Sequence, residues 1–393
     1  MTKSVNSRSF LAAVSPVAFA LASCGAAATG DKASASASDD KPFKVEQVAS
    51  FDEPWAMAID KATGTMLVTQ RKGTIKLRLA DGTPGTVTGA PKVDYGGQGG
   101  LGDVIFAPEQ KGATLDGRVI YLSWAEAGQG DTRGAAVGKG TLSCPQPTSC
   151  AIQDLAVIWR QTPKVSGKGH YSHRLAFSPD GKYLFVASGE RQKFTPAQDL
   201  GGNLGKIVRL LPDGTPAPGN PWADRPAPTN QIWSYGHRNV LGLAFDDKGR
   251  LWDLEHGPAG GDELNLVKPK QNYGWPLVSD GDHYDGKPIP RHSTRPDLAA
   301  PAISWNPVIA PGDFIFYSGP LFPQWQGQAL IASLTLPGVV RVRIEGERAV
   351  EEGRYPLANR IREIEQGADG TIWLLEDGPA GASGHLLKLT PSR

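Results

Sequence analysis

The residues able to do chemistry crowd between Ile232 and Pro276. That stretch holds Trp233-Ser-Tyr-Gly-His-Arg-Asn239, Glu255-His-Gly-Pro258, Gly261-Asp-Glu-Leu-Asn-Leu266 and Asn272-Tyr-Gly-Trp-Pro276. Two further clusters lie outside it, His170-Tyr-Ser-His-Arg-Leu175 and Asn359-Arg-Ile-Arg362. A histidine such as His170 can take a proton near neutral pH, because its imidazole titrates there. The plain alternative is a polar surface residue. Arg238, Arg360 and Arg362 could hold an anion, since guanidinium pairs with carboxylate through two parallel hydrogen bonds. Arg360 and Arg362 are two apart, so on a strand they share one face; a salt-bridged strand face is the competing reading. Gly97-Gln-Gly-Gly-Leu-Gly102 has the glycine spacing of a nucleotide loop but lacks a following helix and a βαβ context, which excludes that use. Asp280, Asp282 and Asp285 fail the EF-hand spacing and read as a solvated acidic loop.

These groups need a scaffold, and the chain offers strands. Helical periodicity is scarce beyond residue 42, and a different unit recurs: an apolar strand, a Gly turn, then a strand rich in β-branched and aromatic residues. Leu175-Ala-Phe-Ser-Pro-Asp-Gly181 leads into Tyr183-Leu-Phe-Val-Ala187, and similar hairpins surround Gly249 and Gly370. Weaker copies surround Gly64, Gly117 and Gly327. Six such units predict an all-β chain folded as a six-bladed propeller of four-stranded antiparallel sheets, with extra residues gathered in loops on one face. Such a fold does not dictate a function.

The clustered motifs resemble those of the soluble glucose and aldose sugar dehydrogenases that depend on pyrroloquinoline quinone. Supporting matches are Gly97-Gln-Gly-Gly-Leu101, the His170 motif, Leu204-Gly-Lys-Ile-Val-Arg-Leu210 and the Arg360 motif, in family order over essentially all of 45–391. The resemblance implies oxidation of the C1 hydroxyl of an aldose to a lactone, with His170 as general base and the quinone as hydride acceptor. It implies that Arg238, Asn239, Arg360, Arg362 and Trp305 meet the cofactor, Arg238 also stabilising charge on it. Backbone carbonyls of Gly257 and Pro258 would hold an active-site calcium, and Glu263 and Tyr273 a second, structural one. Gln98 and Glu190 fall where related enzymes touch sugar. For Trp305 a plain core position is an equal alternative. His173 stands where the family has a small residue and is given no catalytic role. Two departures bear on the cofactor: Leu241 replaces a glutamine in the Gly-His-Arg-Asn motif, and Thr335 replaces a lysine. They motivate a second reading, a non-catalytic envelope propeller that binds glycan or protein and has lost the quinone.

The N-terminus reads as an address. Lys3 and Arg8 precede an apolar run, Phe10–Ala22, too short to span a bilayer. Leu21-Ala22-Ser23-Cys24 resembles a lipoprotein lipobox, which implies cleavage before Cys24 and its acylation; a soluble secretory signal is the alternative. The expected divisions are a signal peptide at 1–23, a flexible tether at 24–41 and the propeller at 42–393. Export to the periplasm makes a local Cys144–Cys150 disulfide favourable over two free thiols. The chain of 393 residues carries 41 basic and 40 acidic side chains, so a general nucleic-acid or anionic-membrane surface is not expected. The implied partners are an aldose and a periplasmic electron acceptor, with the membrane met only through the lipid.

Overall fold

Each predicted turn glycine lies where a first strand folds back on a second. The computed structural model describes Met1 and residues 41–108, 110–378 and 383–392. Gly64, Gly117, Gly181, Gly249, Gly327 and Gly370 all have positive φ, from 69° to 87°. A side chain is strained in that region and glycine is not. Among the described residues the only helical segments are four short 3-10 turns, and none is long and apolar enough to cross a membrane. Cys24 and the expected signal and tether, apart from Met1 and Lys41, lie outside the described residues.

The strands form four four-stranded antiparallel sheets and one sheet of eight. The eight-stranded sheet is two antiparallel sets joined at their outer edges by a short parallel ladder, Thr86–Thr88 against Ser149–Ala151. A Cβ on Gly85 would meet the Thr148 carbonyl oxygen at 2.3 Å, so this edge needs glycine to approach. Cys144 and Cys150 are disulfide-bonded at the tip of the hairpin that makes the contact.

Every set of four begins with a short inner strand: Pro54–Ile59, Leu101–Phe106, Ser172–Phe177, Val240–Phe245, Pro311–Phe316 and Ile361–Gln366. Each contacts the next, and the last contacts the first, in a propeller-like ring. Phe43–Asp52 closes the ring by pairing antiparallel with Ser383–Pro391, so the first and last described strands share one sheet. A separate apolar cluster fills each space between neighbouring sets. Examples are Trp252, Leu254 and Trp305 against Phe314 and Ile331, and Phe43 against Phe322 and Trp325. Burying one such large side chain contributes about 1.5–3 kcal/mol.

The ladder between first and second strand slips near the start of every inner strand, at Pro54/Ala56, Leu101/Val104, Ser172/Leu175, Val240/Gly242, Pro311/Asp313 and Ile361/Glu363. A bulge adds a residue to one strand and re-aims its side chain. All six bulges lie at the same end of the ring, because all six inner strands run the same way.

Candidate active site

At that end lies a cavity of about 220 Å³. Four of the displaced bulge residues line it: Trp55, His173, Leu241 and Arg362. The antiparallel pairing returns the end of each second strand to the same face. Arg71, His256 and Leu334 therefore reach the cavity from one residue beyond Met66–Gln70, Leu251–Glu255 and Ala329–Ser333. Gln98, Asn239 and Arg360 complete the polar wall.

His170 sits beside this wall, buried, in a strained segment: His170, Ser172 and His173 have φ of 48°, 57° and 52°. Such backbone costs about 1–3 kcal/mol per residue and persists where neighbours over-determine it. Here they do. The His170 amide donates to Gln98 Oε1 at 2.7 Å, and Nδ1 is held by a short hydrogen bond to Glu190 Oε1. Glu190 is itself fixed, since Oε2 accepts the Phe194 amide at 2.7 Å. Burial pushes the imidazole below its usual range, against the pull of Glu190. Burial alone would raise Glu190, but the bonds from His170 and the Phe194 amide hold it below the usual carboxylate range. At neutral pH this is a neutral imidazole oriented by an ionised carboxylate, with Nε2 making no hydrogen bond among the described residues: the arrangement of a general base.

The wall is cationic. Arg360 and Arg362 share one counter-ion, Asp377, at 3.0 and 3.1 Å, as their two-residue spacing requires. Arg71 leans on Glu53 at 3.6 Å and donates to the Gly99 carbonyl at 3.2 Å. Arg238 borders an adjoining small pocket; it donates to the His256 carbonyl at 3.0 Å, and its buried Nε has no hydrogen-bond partner among the described residues. The loop after His256 is pinned by Asp262, which accepts the amides of Gly257 at 2.9 Å and Ala310 at 2.6 Å. The carbonyls of Gly257 and Pro258 accept no hydrogen bond among the described residues. Guanidiniums with spare donors face an anion-sized space, and free carbonyls beside it suit a hard cation.

A family model described as Glucose / Sorbosone dehydrogenase matches residues 51–388. The aldose sugar dehydrogenase YliI of Escherichia coli (strain K12) is 37% identical over 350 residues, 87% of this chain and 91% of that protein. The chain belongs to the glucose/sorbosone dehydrogenase family. It is an oxidoreductase acting on the CH–OH group of sugars. The crystal structure of the soluble aldose sugar dehydrogenase from Escherichia coli in the apo-form matches with a TM-score of 0.80 at 36% identity, covering 89% of this chain and 99% of that one. The PQQ-bound form of aldose sugar dehydrogenase from Streptomyces coelicolor matches with a TM-score of 0.70 at 27% identity, covering 88% and 98%.

Within this sugar dehydrogenase the expected site residues divide. Gln98, Asn239, Arg360 and Arg362 line the cavity and Arg238 the pocket beside it; His170 stands next to Gln98, and Glu190, expected at the sugar, is instead buried on His170 Nδ1. Trp305 does not. It lies on an outer strand, in the apolar core against the next sheet, with its indole N–H on Glu351 at 2.8 Å. The expected cofactor contact is therefore corrected to a core position. Glu263 and Tyr273 border the smaller pocket, but the Tyr273 carbonyl already faces His292. Leu241 lines the cavity, whereas the cavity residue near Thr335 is Leu334, Thr335 itself being exposed.

Of the lining residues, Trp55 and Arg71 belong to no motif of the sequence reading, and His256 and Leu334 were given no role by it. Arg71, His256 and Leu334 share the signal of position, each directly following a second strand. His173, set aside as non-catalytic, forms part of the cavity floor, stacked on Trp55 at 5.0 Å with Nδ1 on Ser123 Oγ at 2.8 Å. Its ring occupies space that Gly102 leaves open, where a Cβ would come within 1.8 Å of it. That is the purpose of the last glycine in the discarded nucleotide-like motif. Burial takes the His173 pKa down to about 3, so it is a neutral floor.

Proposed function

We propose that this chain oxidises the C1 hydroxyl of aldoses to lactones in the periplasm, with pyrroloquinoline quinone and calcium as cofactors. One observation carries the reading: an oriented, neutral His170 stands beside a cavity whose wall presents Arg71, Arg360 and Arg362. The donor set fits a planar tricarboxylate, because two arginines share a single carboxylate and the buried Nε of Arg238 has no hydrogen-bond partner among the described residues. The unengaged carbonyls of Gly257 and Pro258 fit one calcium ion.

When bound, the quinone supplies a two-electron acceptor for the C1 hydride, and calcium polarises it. His170 Nε2 accepts the proton of the C1 hydroxyl, so the electron pair of that O–H bond becomes the second C1–O bond as hydride departs. Glu190 holds Nδ1 protonated and stabilises the imidazolium that forms. Gln98 fixes the His170 backbone and, lying exposed at the mouth, is placed to meet sugar hydroxyls. Arg238 stabilises negative charge developing beside it, and Asn239 buttresses the Ser172 hydroxyl at 3.4 Å.

We assign a signal peptide to 1–23, a lipid-bearing Cys24 with its tether to 24–41 and a six-bladed propeller to 42–393. Electrons would leave to a periplasmic acceptor. Leu241 and Leu334 give the cavity an apolar side and favour the second reading, a glycan- or protein-binding propeller without quinone. One titration separates the two: residues 25–393 with calcium and increasing quinone, followed by absorbance and by dye reduction with a panel of aldoses. Saturable binding with sugar-dependent reduction supports the dehydrogenase. No binding at micromolar quinone supports the alternative.

A further inference from the structure

Next to the cavity lies a buried acidic nest. Asp253, Glu255 and Glu263 are all buried, and Asn265 Nδ2 donates toward them at 3.1, 3.2 and 3.4 Å. Asp280 stands at the edge, accepting the Ser304 hydroxyl at 2.7 Å. Carboxylates at this density are the donors a calcium ion uses, and left alone they repel one another at high cost. In this chain two imidazoles supply the compensation. His237 Nδ1 lies 3.1 Å from Glu255 and 3.3 Å from Asp253, and its Nε2 meets the Ser234 hydroxyl at 2.8 Å. His292 has Nε2 at 3.3 Å from the Tyr273 carbonyl, while Nδ1 lies 3.8 Å from Glu263 and 3.6 Å from Asp280.

The second group matters for metal binding. Calcium needs its oxygens at about 2.3–2.6 Å. The His292 ring spans the gap between the Glu263 carboxylate, 3.8 Å from Nδ1, and the Tyr273 carbonyl, 3.3 Å from Nε2, so an ion bridging the two across that gap would have to displace it. The loop that carries the ring is anchored beside it. The neighbouring Arg291 is tied to Asp282 at 2.8 Å and to the Gly281 carbonyl at 2.6 Å. His292 is 5% exposed, yet it and Asp280 border a surface groove of about 700 Å³, so ions in solvent have a route to the place. Glu263 and Tyr273 therefore do not fit the structural calcium that the sequence resemblance implied.

We propose that His292 replaces that ion: its side chain bridges Glu263, Asp280 and the Tyr273 carbonyl, and this chain binds no calcium between them. The ring then ties the 279–292 loop to the strand carrying Glu263, as a bound ion would. The inference is independent of the quinone reading, because calcium at Gly257 and Pro258 uses neither Glu263 nor His292.

The test counts calcium per chain by elemental analysis, at buffered micromolar free calcium, for the wild type, Glu263→Gln, His292→Ala and the double variant. The wild type and Glu263→Gln should hold equal calcium. His292→Ala should gain one ion per chain, and adding Glu263→Gln should remove it. A wild type that loses an ion on Glu263→Gln overturns the proposal, as does a folded His292→Ala that gains none. A second measurement needs no substitution: anomalous scattering from wild-type crystals grown in calcium should place no ion between Glu263 and Tyr273, and an ion found there refutes the replacement.

Discussion

Two sets of arginines lie within one end of the ring and do opposite work. Arg174, beneath the cavity floor, is buried and saturated. It meets Glu363 at 2.6 Å, Asp103 at 3.5 Å and Asp313 at 3.8 Å, donates to the carbonyls of Leu241 and Gly312, and stacks under Trp55 at 4.2 Å. Arg360 and Arg362, on the wall above, share Asp377 as their one counter-ion among the described residues. The same side chain is a structural rivet where the protein supplies its counter-charges, and it keeps donors for a ligand where fewer are supplied. The difference lies in the partners, since both sites are set by bulged inner strands.

The sharpest way to isolate the working side of that comparison is to remove the base. His170→Ala should lower kcat by about 10²–10⁴-fold while quinone and calcium still bind; retained turnover in the dye assay would end its assignment. Next in size is the structural side. Arg174→Met leaves Glu363, Asp103 and Asp313 without their cation and should cost about 3–5 kcal/mol in a denaturant melt. A stability near the wild type's would place Arg174 with the ligand arginines instead.

On the wall, Arg360→Gln should do the reverse. Losing a charged hydrogen bond worth about 1.5–3 kcal/mol weakens quinone binding about tenfold or more, while the melt moves by no more than about 0.5 kcal/mol. Equal damage to both would erase the distinction between the two sets. Leu241→Gln combined with Thr335→Lys should tighten the quinone by a smaller factor, and unchanged affinity would mean these positions do not face it.

The last effect is a shift in pH. Burial lowers the His170 pKa, so the neutral, proton-accepting form survives below the usual imidazole value of about 6.5. The acid limb of kcat should fall on that lower side. A limb above it would show that Glu190, rather than burial, governs the ring.

Much of the scaffold was legible because a hairpin is a local object. An Asp-Gly or similar turn between apolar strands specifies itself within about a dozen residues, and all six turn glycines have the backbone they were chosen for. His170 was singled out through its motif, and the two-residue spacing of Arg360 and Arg362 foretold that both would reach one carboxylate. Trp305 was misplaced because a tryptophan's apolar bulk suits a core and a pocket equally, and only the neighbouring sheet distinguishes them. Arg71 was missed because it belongs to no motif; it gains meaning only when the ring brings the end of its strand to the cavity.

By itself, then, the sequence determined the repeating hairpins, the basic groups and the candidate base, all of which depend on neighbours in the chain or on residue chemistry. Tertiary structure decided which groups remain free. Glu190 lies 20 residues from His170 yet becomes its orienting partner. Glu363 lies far along the chain from Arg174 yet neutralises it, and His292 fills a place its neighbours in sequence do not reveal. Charge compensation acts across space over a few ångströms, so it is settled only when the sheets close on one another.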